Sequence, residues 1–365
     1  MRRHSRIRCV LRVLAWLPAV LACLLALASA YGGAVDPRSC ILFAMAAMTF
    51  PLTAALLMAV MAVYAALRQT LAADVCALTL VACLPAFANY SPHNSEGDPQ
   101  GAPVFTVMNF NAYEYYSPET KKIPAPNPSL ASIINSGADI VCLQEAVQAK
   151  HFVGKYGITQ QQIDSLHRLY PYSETTIEMC VYSKLPLREA KLMSKFSRWS
   201  VVVLYQVDFH GVPISVLSVH LTSLGLDEGD RALYETLTEG RVRHSGVRRG
   251  GRRLLAKFAE AARSRAIMAD SLCALADSIG GNVIICGDFN DLPGCYADRT
   301  LRRAGFTDAY AAAGRGAGIS YRSNRFWFRI DHVFCRGDLR PLRSRVLREG
   351  VSDHYPVVTS FAVDN

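Results

Sequence analysis

Three stretches near the N-terminus carry almost no charge, and they constrain this chain more than any other feature. Val13 to Ala30 is uncharged, Ile41 to Leu67 is a second uncharged run, and Leu71 to Ala88 is a third, interrupted only by Asp74. Each approaches the ~20 apolar residues a helix needs to cross a bilayer core. The second run is too long and too uniformly apolar for a buried core helix, whereas the third also suits one. Residues 1–88 therefore read as a membrane region of three transmembrane helices. Arg2, Arg3, Arg6, Arg8 and Arg12 precede the first run, the next loop has Arg38 beside Asp36, and the following turn has Arg68. That bias keeps the N-terminus in the cytoplasm. Three crossings then make a multi-pass protein of the cell (inner) membrane with its C-terminal part extracytoplasmic, periplasmic in a Gram-negative bacterium. A cleaved signal peptide ending near "LALASA" is a rival reading of the first run and leaves the C-terminal part on the same side.

Residues 1–90 hold seven Arg and two Asp, a net of +5, so only +4 of the chain's +9 falls on the remainder. That is mildly basic and short of a dedicated nucleic-acid binder's excess. No CxxC or paired Cys/His spacing is present, which argues against a zinc knuckle. Cys142 and Cys286 sit in apolar runs and read as buried thiols. Cys295 and Cys335 can pair outside the cytoplasm, but the sequence leaves that pairing open. "NYSPHNSEGDPQGAP", residues 89–103, lacks an apolar period and reads as a linker. Residues 104–365 form one domain with strand candidates "VFTVMNF", "DIVCLQE", "MCVYS", "SVVVLYQVDF", "ISVLSVHL", "VIICGDF", "RIDHVFC" and "PVVTSFAV". Helical patterns fall at "SLASIINSG" and from Arg253 to Ile279. The mixture predicts an α+β architecture of mostly antiparallel sheets covered by helices.

Polar residues recur where these strands end. Asn111, Glu145, His220, Asp288 with Asn290, Asp331 with His332, and Asp353 with His354 all fall there. Singly, each has a plain explanation as a cap, a turn residue or a hydrogen-bonded core histidine. Together they make the convergent carboxylate, amide and imidazole cluster that a site requires. Oxygen ligands from Asp, Glu and Asn suit a hard cation, Mg²⁺ or Mn²⁺, and an imidazole beside a carboxylate can hold a phosphate or pass a proton. The chemistry they support is metal-assisted phosphoester hydrolysis.

The ordered set "NFN", "LQE", "SVHL", "GDFN", "RIDHVF" and "SDHYP" resembles the endonuclease/exonuclease/phosphatase superfamily from about residue 104 to the C-terminus. The resemblance implies a four-layer α/β/β/α sandwich, two packed sheets flanked by helices, with the site at one end. It implies Glu145 as the main metal ligand with Asn111 beside it and Asp353 near the metal. Asp288 and Asn290 would position the attacking water and bind phosphate. His220 would contact the phosphate or assist the leaving group, and Asp331 would orient His354, the catalytic histidine. Tyr113 departs from the small or acidic residue of many nuclease members, and His220 departs from the apurinic-site repair branch.

"EGRVRHSGVRRGGRR", residues 239–253, lies outside that pattern. Its glycines predict a flexible cationic loop before Arg252. Arg248, Arg249, Arg252 and Arg253 are candidate contacts to an anionic substrate or membrane, against the plainer reading of a solvated loop. The expected activity is a membrane-anchored, Mg²⁺-dependent phosphodiesterase or phosphatase acting on nucleic acid or on a lipid or sugar head group. Tyr113, Tyr115, Tyr116, Tyr321 and Trp327 are placed to stack on bases or simply to cover a sheet edge. The alternative is a catalytically inactive binding or scaffold module, whose signature would be loss of a central acid or of the last histidine; neither is lost. No protein partner is inferable.

Overall fold

The computed structural model describes residues 2–116, 123–197, 200–225, 244–323 and 326–364, with side chains from residue 15 onward except 244–249 and 326. Val104–Asn111 (β1), Ile140–Gln144 (β2), Tyr172–Thr176 (β3), Met179–Ser183 (β4), Leu339–Val346 (β13) and Val357–Val363 (β14) form one sheet in the order β13-β14-β1-β2-β4-β3. Leu187–Lys195 (β5), Val201–Phe209 (β6), Val212–His220 (β7), Asn282–Asp288 (β8), Thr307–Asp308 (β9) and Asp331–Arg336 (β12) form the other, in the order β5-β6-β7-β8-β12-β9. Tyr321–Ser323 (β10) pairs with Phe326–Phe328 (β11) in a separate ribbon.

Each six-stranded sheet is mixed, with one parallel pair among antiparallel neighbours: β1 with β2, and β7 with β8. A parallel pair needs a crossover, supplied by helix Pro128–Asn135 in the first sheet and helix His244–Ile279 in the second. With Gln160–Leu169, Tyr296–Arg303 and Ala309–Ala313, these are α6 (128–135), α7 (160–169), α8 (244–279), α9 (296–303) and α10 (309–313). Strand alternation explains the layers. In β8, Ile284 and Cys286 point between the sheets, and Val283 and Ile285 point to Met268, Leu272 and Leu301 of the covering helices. Likewise Phe105 and Val107 of β1 face the second sheet, and Met108 and Phe110 face Leu130, Ile133 and Leu166. Strands buried on both faces read as continuous apolar runs, which is why "VIIC" shows no alternation.

The N-terminal runs fold as helices Arg2–Tyr31 (α1), Ile41–Ala47 (α2), Phe50–Ala66 (α3), Thr70–Ala82 (α4) and Leu84–Tyr90 (α5). One stretch, Ala15–Ala34, is long and apolar enough by itself to cross a membrane. The second and third runs, each expected as one transmembrane helix, are instead pairs bent by 71° and 50°, which pass the same test only if each pair is one span. Pro51 and Pro85 stand at the first turn of α3 and α5, where their missing N–H is tolerated but a continuous preceding helix is not.

One further expectation changes, and two readings left open are narrowed. The backbone is helical from His244, through Gly250 and Gly251, so the Arg-rich segment is not a loop over that part. Its glycines cost ~1 kcal/mol each, which good helix formers on a long packed helix can offset. Arg241 and Arg243 lie outside the described residues. Cys295 and Cys335 are both free thiols in separate apolar clusters. Tyr115 is fully buried, its hydroxyl donating to the Val147 carbonyl at 2.9 Å, and so cannot stack on a ligand.

Residues 89–103 contain no helix or strand beyond the start of this stretch, but they are held to the domain. The Asn94 amide donates to the Gly314 carbonyl at 3.2 Å and that of Gly97 to Leu342 at 2.7 Å. The helical bundle also docks directly on the loop after β8. A Cβ on Gly33 would lie 1.9 Å from the Gly294 carbonyl oxygen, and Ala47, Met48 and Tyr90 pack with Leu292, Cys295 and Ile330. Arg38 pairs with Asp270 at 2.6 Å, and Arg299 Nη2 donates to the Ala30 carbonyl at 2.6 Å.

Candidate active site

The two parallel pairs end at the same edge of the sandwich, and that edge carries the polar residues. Register sets His220 opposite Asp288 across β7 and β8, and Asp331 opposite Asp288 across β12 and β8. Asn111 closes β1, and Glu145 follows β2 with a left-handed φ of 48°. Gly287 is the close-approach position: a Cβ there would meet the Val219 carbonyl oxygen at 1.8 Å, so only glycine lets β8 lie against β7 here.

Two connected groups result. In the first, Asn111 Nδ2 donates to Glu145 Oε1 at 2.9 Å and Asp288 Oδ2 at 3.1 Å, and His220 Nε2 lies 3.7 Å from each of the same oxygens. In the second, His354 lies between two carboxylates, Nδ1 2.9 Å from Asp331 Oδ2 and Nε2 3.5 Å from Asp288 Oδ2. Burial pushes the His354 imidazole down, but Asp331 and Asp288 outweigh it and raise it to about 10. Burial raises the Asp331 carboxyl against the opposing pull of His354. The two carboxylates favour the protonated form of His354, whose Nδ1 is hydrogen-bonded to Asp331.

Asn290 also has a left-handed φ, 49°; its backbone N–H donates to Asp288 Oδ1 at 2.9 Å and its Nδ2 to the Leu221 carbonyl at 3.1 Å. Asp353 is half-buried beside His354 and adds to the pull on its proton, with Ser352 Oγ 3.4 Å from its carboxylate. It stands outside the group formed by Asp288, Asp331 and His354, whose ligand atoms all lie within 4.8 Å of one another. Arg252 and Arg253 are exposed on α8, and the side chains of Arg248 and Arg249 lie outside the described ones.

A divalent cation fits the first group. Two carboxylates converge there on one amide, and Glu145 stays 23% exposed; in the second group Asp331 Oδ1 is buried without a hydrogen-bond partner. Such hard oxygen donors, open on one side, suit Mg²⁺ or Mn²⁺. Asn111 now turns its NH₂ toward the carboxylates, the polarity a positive charge would also supply.

Three supporting residues escaped the sequence reading. Ser352 Oγ donates to the Asn111 carbonyl at 2.8 Å and accepts the His354 N–H at 3.1 Å, tying the two groups together. Ser320 Oγ accepts the Asp331 N–H at 3.1 Å. Arg265 of α8, 1% exposed, donates to the Thr222 carbonyl at 3.0 Å and lies 3.7 Å from Asp291, so one helix holds the loops after both β7 and β8. The serine before "DH" was a readable turn signal; a buried arginine in an Arg-rich helix gave none.

A site at the shared end of two mixed sheets, each flanked by helices, defines a two-sheet sandwich of the kind the ordered motifs implied. Residues 108–354 match the model of the Endonuclease/Exonuclease/phosphatase family, and the chain belongs to that family. Among solved structures it is similar to truncated TDP2 of Caenorhabditis elegans (16% identity, TM-score 0.44, covering 71% of this chain and 97% of that one). It is also similar to an endonuclease/exonuclease/phosphatase of Beutenbergia cavernae (16%, 0.47, 72% and 72%) and a family protein of Bacteroides thetaiotaomicron (13%, 0.46, 72% and 99%). At such identities and TM-scores these likenesses carry no inference about substrate. No curated protein is significantly similar to the chain.

Proposed function

We propose that this protein is a membrane-anchored, Mg²⁺- or Mn²⁺-dependent phosphoesterase that works at the bilayer surface, with residues 1–88 as anchor, 89–103 as connector and 104–365 as catalytic domain. The observation that carries this reading is the contact between the loop after Asp288 and the ends of the helical bundle, which brings the cluster to the bundle's side of the domain. The bundle's polarity is that of a membrane body. Leu21, Leu24, Leu52, Leu78 and Val81 are exposed, while Ala19, Ala22, Ala26, Ala54 and Cys76 fill the interior. Taken as one span each, the bent pairs give three crossings and, with the N-terminal arginines inside, an extracytoplasmic catalytic domain.

Glu145 and Asn111, with Asp353, would hold the cation, which would supply charge stabilisation of a phosphoryl oxygen and a more acidic water. Asp288 and Asn290 position the attacking water. His220 contacts the phosphate on the leaving-group side. Asp331 orients His354, whose proton neutralises charge on the phosphoryl group. Arg248, Arg249, Arg252 and Arg253, presented along a helix, add salt-sensitive contacts to an anionic surface or polyanion.

A bilayer-facing site favours a lipid or sugar head group over long nucleic acid. The test is competition between phospholipid vesicles and single-stranded DNA as substrates of the full-length protein. Faster turnover of vesicle lipid supports the head-group reading; turnover of DNA alone supports the nuclease reading. Gln at the four arginines should raise KM on the anionic substrate and flatten its salt dependence, leaving kcat on a small soluble diester unchanged.

A further inference from the structure

Away from the catalytic cluster, a cavity of about 510 Å³ opens between edge strand β13, α10 with its following loop, and the chain leaving α5. Its walls include Glu96, Tyr310, Arg315, Arg343, Arg345 and Arg348, and none of the residues assigned to catalysis or metal binding above. Four guanidinium groups therefore face one carboxylate. Arg343 pairs with Glu96 at 3.4 Å, and among the described residues Arg315, Arg345 and Arg348 have no ion-pair partner.

The backbone pre-forms this cavity. Gly318 has φ 61°, and a Cβ there would lie 2.4 Å from the Tyr310 ring, so the loop can fold over that ring only with glycine at this point. Tyr310 Oη donates to the Arg315 carbonyl at 2.8 Å. On the opposite wall Asn94 Nδ2 donates to the Ala311 carbonyl at 2.9 Å. Unneutralised guanidinium groups at this density repel one another and attract a multiply charged anion. Their paired N–H donors match phosphate oxygens, and the volume falls in the ~300–1,000 Å³ range of small-molecule sites. Asn94 stands only four residues past Tyr90, the end of α5, so this wall lies within ~15 Å of the helical bundle.

We propose that the arginine-lined cavity is a second anion site, distinct from the catalytic one, for a ligand bearing two or more phosphate charges. A membrane-derived head group and a soluble polyphosphate share that chemistry. The test uses the full-length protein in phosphatidylcholine nanodiscs with EDTA. One arm titrates pyrophosphate; the other measures thermal stabilisation by added phosphatidic acid. The Arg345→Gln/Arg348→Gln protein should bind pyrophosphate about tenfold or more weaker, if the ligand is soluble, or lose stabilisation by phosphatidic acid, if it is a lipid. Glu96→Gln, which releases Arg343, should shift the same quantity a few-fold the other way. Turnover of a small soluble diester with Mg²⁺ should be unchanged in both variants, which separates this site from the phosphoesterase reading. The proposal is overturned if neither variant alters either measurement, or if pyrophosphate binding survives the arginine changes and is lost in His354→Gln.

Discussion

His354 is the residue on which the site's electrostatics turn. Its nitrogens reach carboxylates on two neighbouring strands, and its proton offsets the charge that Asp288 and Asp331 would otherwise hold in a dry interior. Because its value in the fold is raised above the ordinary 6.5, the stability it contributes is complete below pH ~6.5 and is lost as pH rises through about 10. In EDTA, the melting temperature of the wild type should therefore fall between those limits more steeply than that of His354→Gln. Equal slopes would remove the imidazolium from the account. The same substitution should lower kcat on a small diester by on the order of a hundredfold or more. Arg265 makes a stability prediction. Arg265→Met leaves Asp291 buried without its partner, at a cost of about 3 kcal/mol, read as a lowered unfolding midpoint in detergent. An unchanged midpoint would mean that the helix does not hold these loops.

At the scale of elements, the close approach of β7 and β8 fixes the row that holds His220, Asp288 and Asp331. Gly287→Ala must displace the Val219 backbone, which has no flexible end to yield. It should cost about 1–3 kcal/mol and depress turnover together, measured by melting and initial rate; full stability and activity would contradict the registry argument. This scale also shows what could be read in the sequence. Each of the eight strand candidates corresponds to an observed strand, because those strands are buried on one or both faces and their apolar content is high. The strands missed are β3, β5, β9 and β13, all at sheet edges, and the β10-β11 ribbon. "LREAKLMSK" and "LRPLRSRV" carry the charges and proline that edge strands use against mispairing, and those hide the strand pattern. The helix starts at His244, ahead of the Arg252 that local glycine content predicts, because the long packed helix behind it carries those glycines. The polar cluster was legible as a set of strand ends, but its division into an Asn111–Glu145–Asp288 group and an Asp331–His354–Asp288 group needed the cross-strand register.

The whole molecule joins an apolar bundle to a sandwich through side chains as well as through the chain itself. Asn89 alone bonds to Asp298, Arg302 and, through its carbonyl, Arg329. The domain is thereby fixed on the bundle by the face that bears the loop after Asp288, and under the proposed anchoring this sets the site near the bilayer. Hydrolysis of a small soluble phosphodiester by the purified full-length protein, stripped with EDTA and then given Mg²⁺ or Mn²⁺, tests this account most directly. The account predicts no turnover after stripping, recovery with either cation, and no recovery in Glu145→Gln. Turnover that persists in EDTA, or that Glu145→Gln recovers in full, would contradict it.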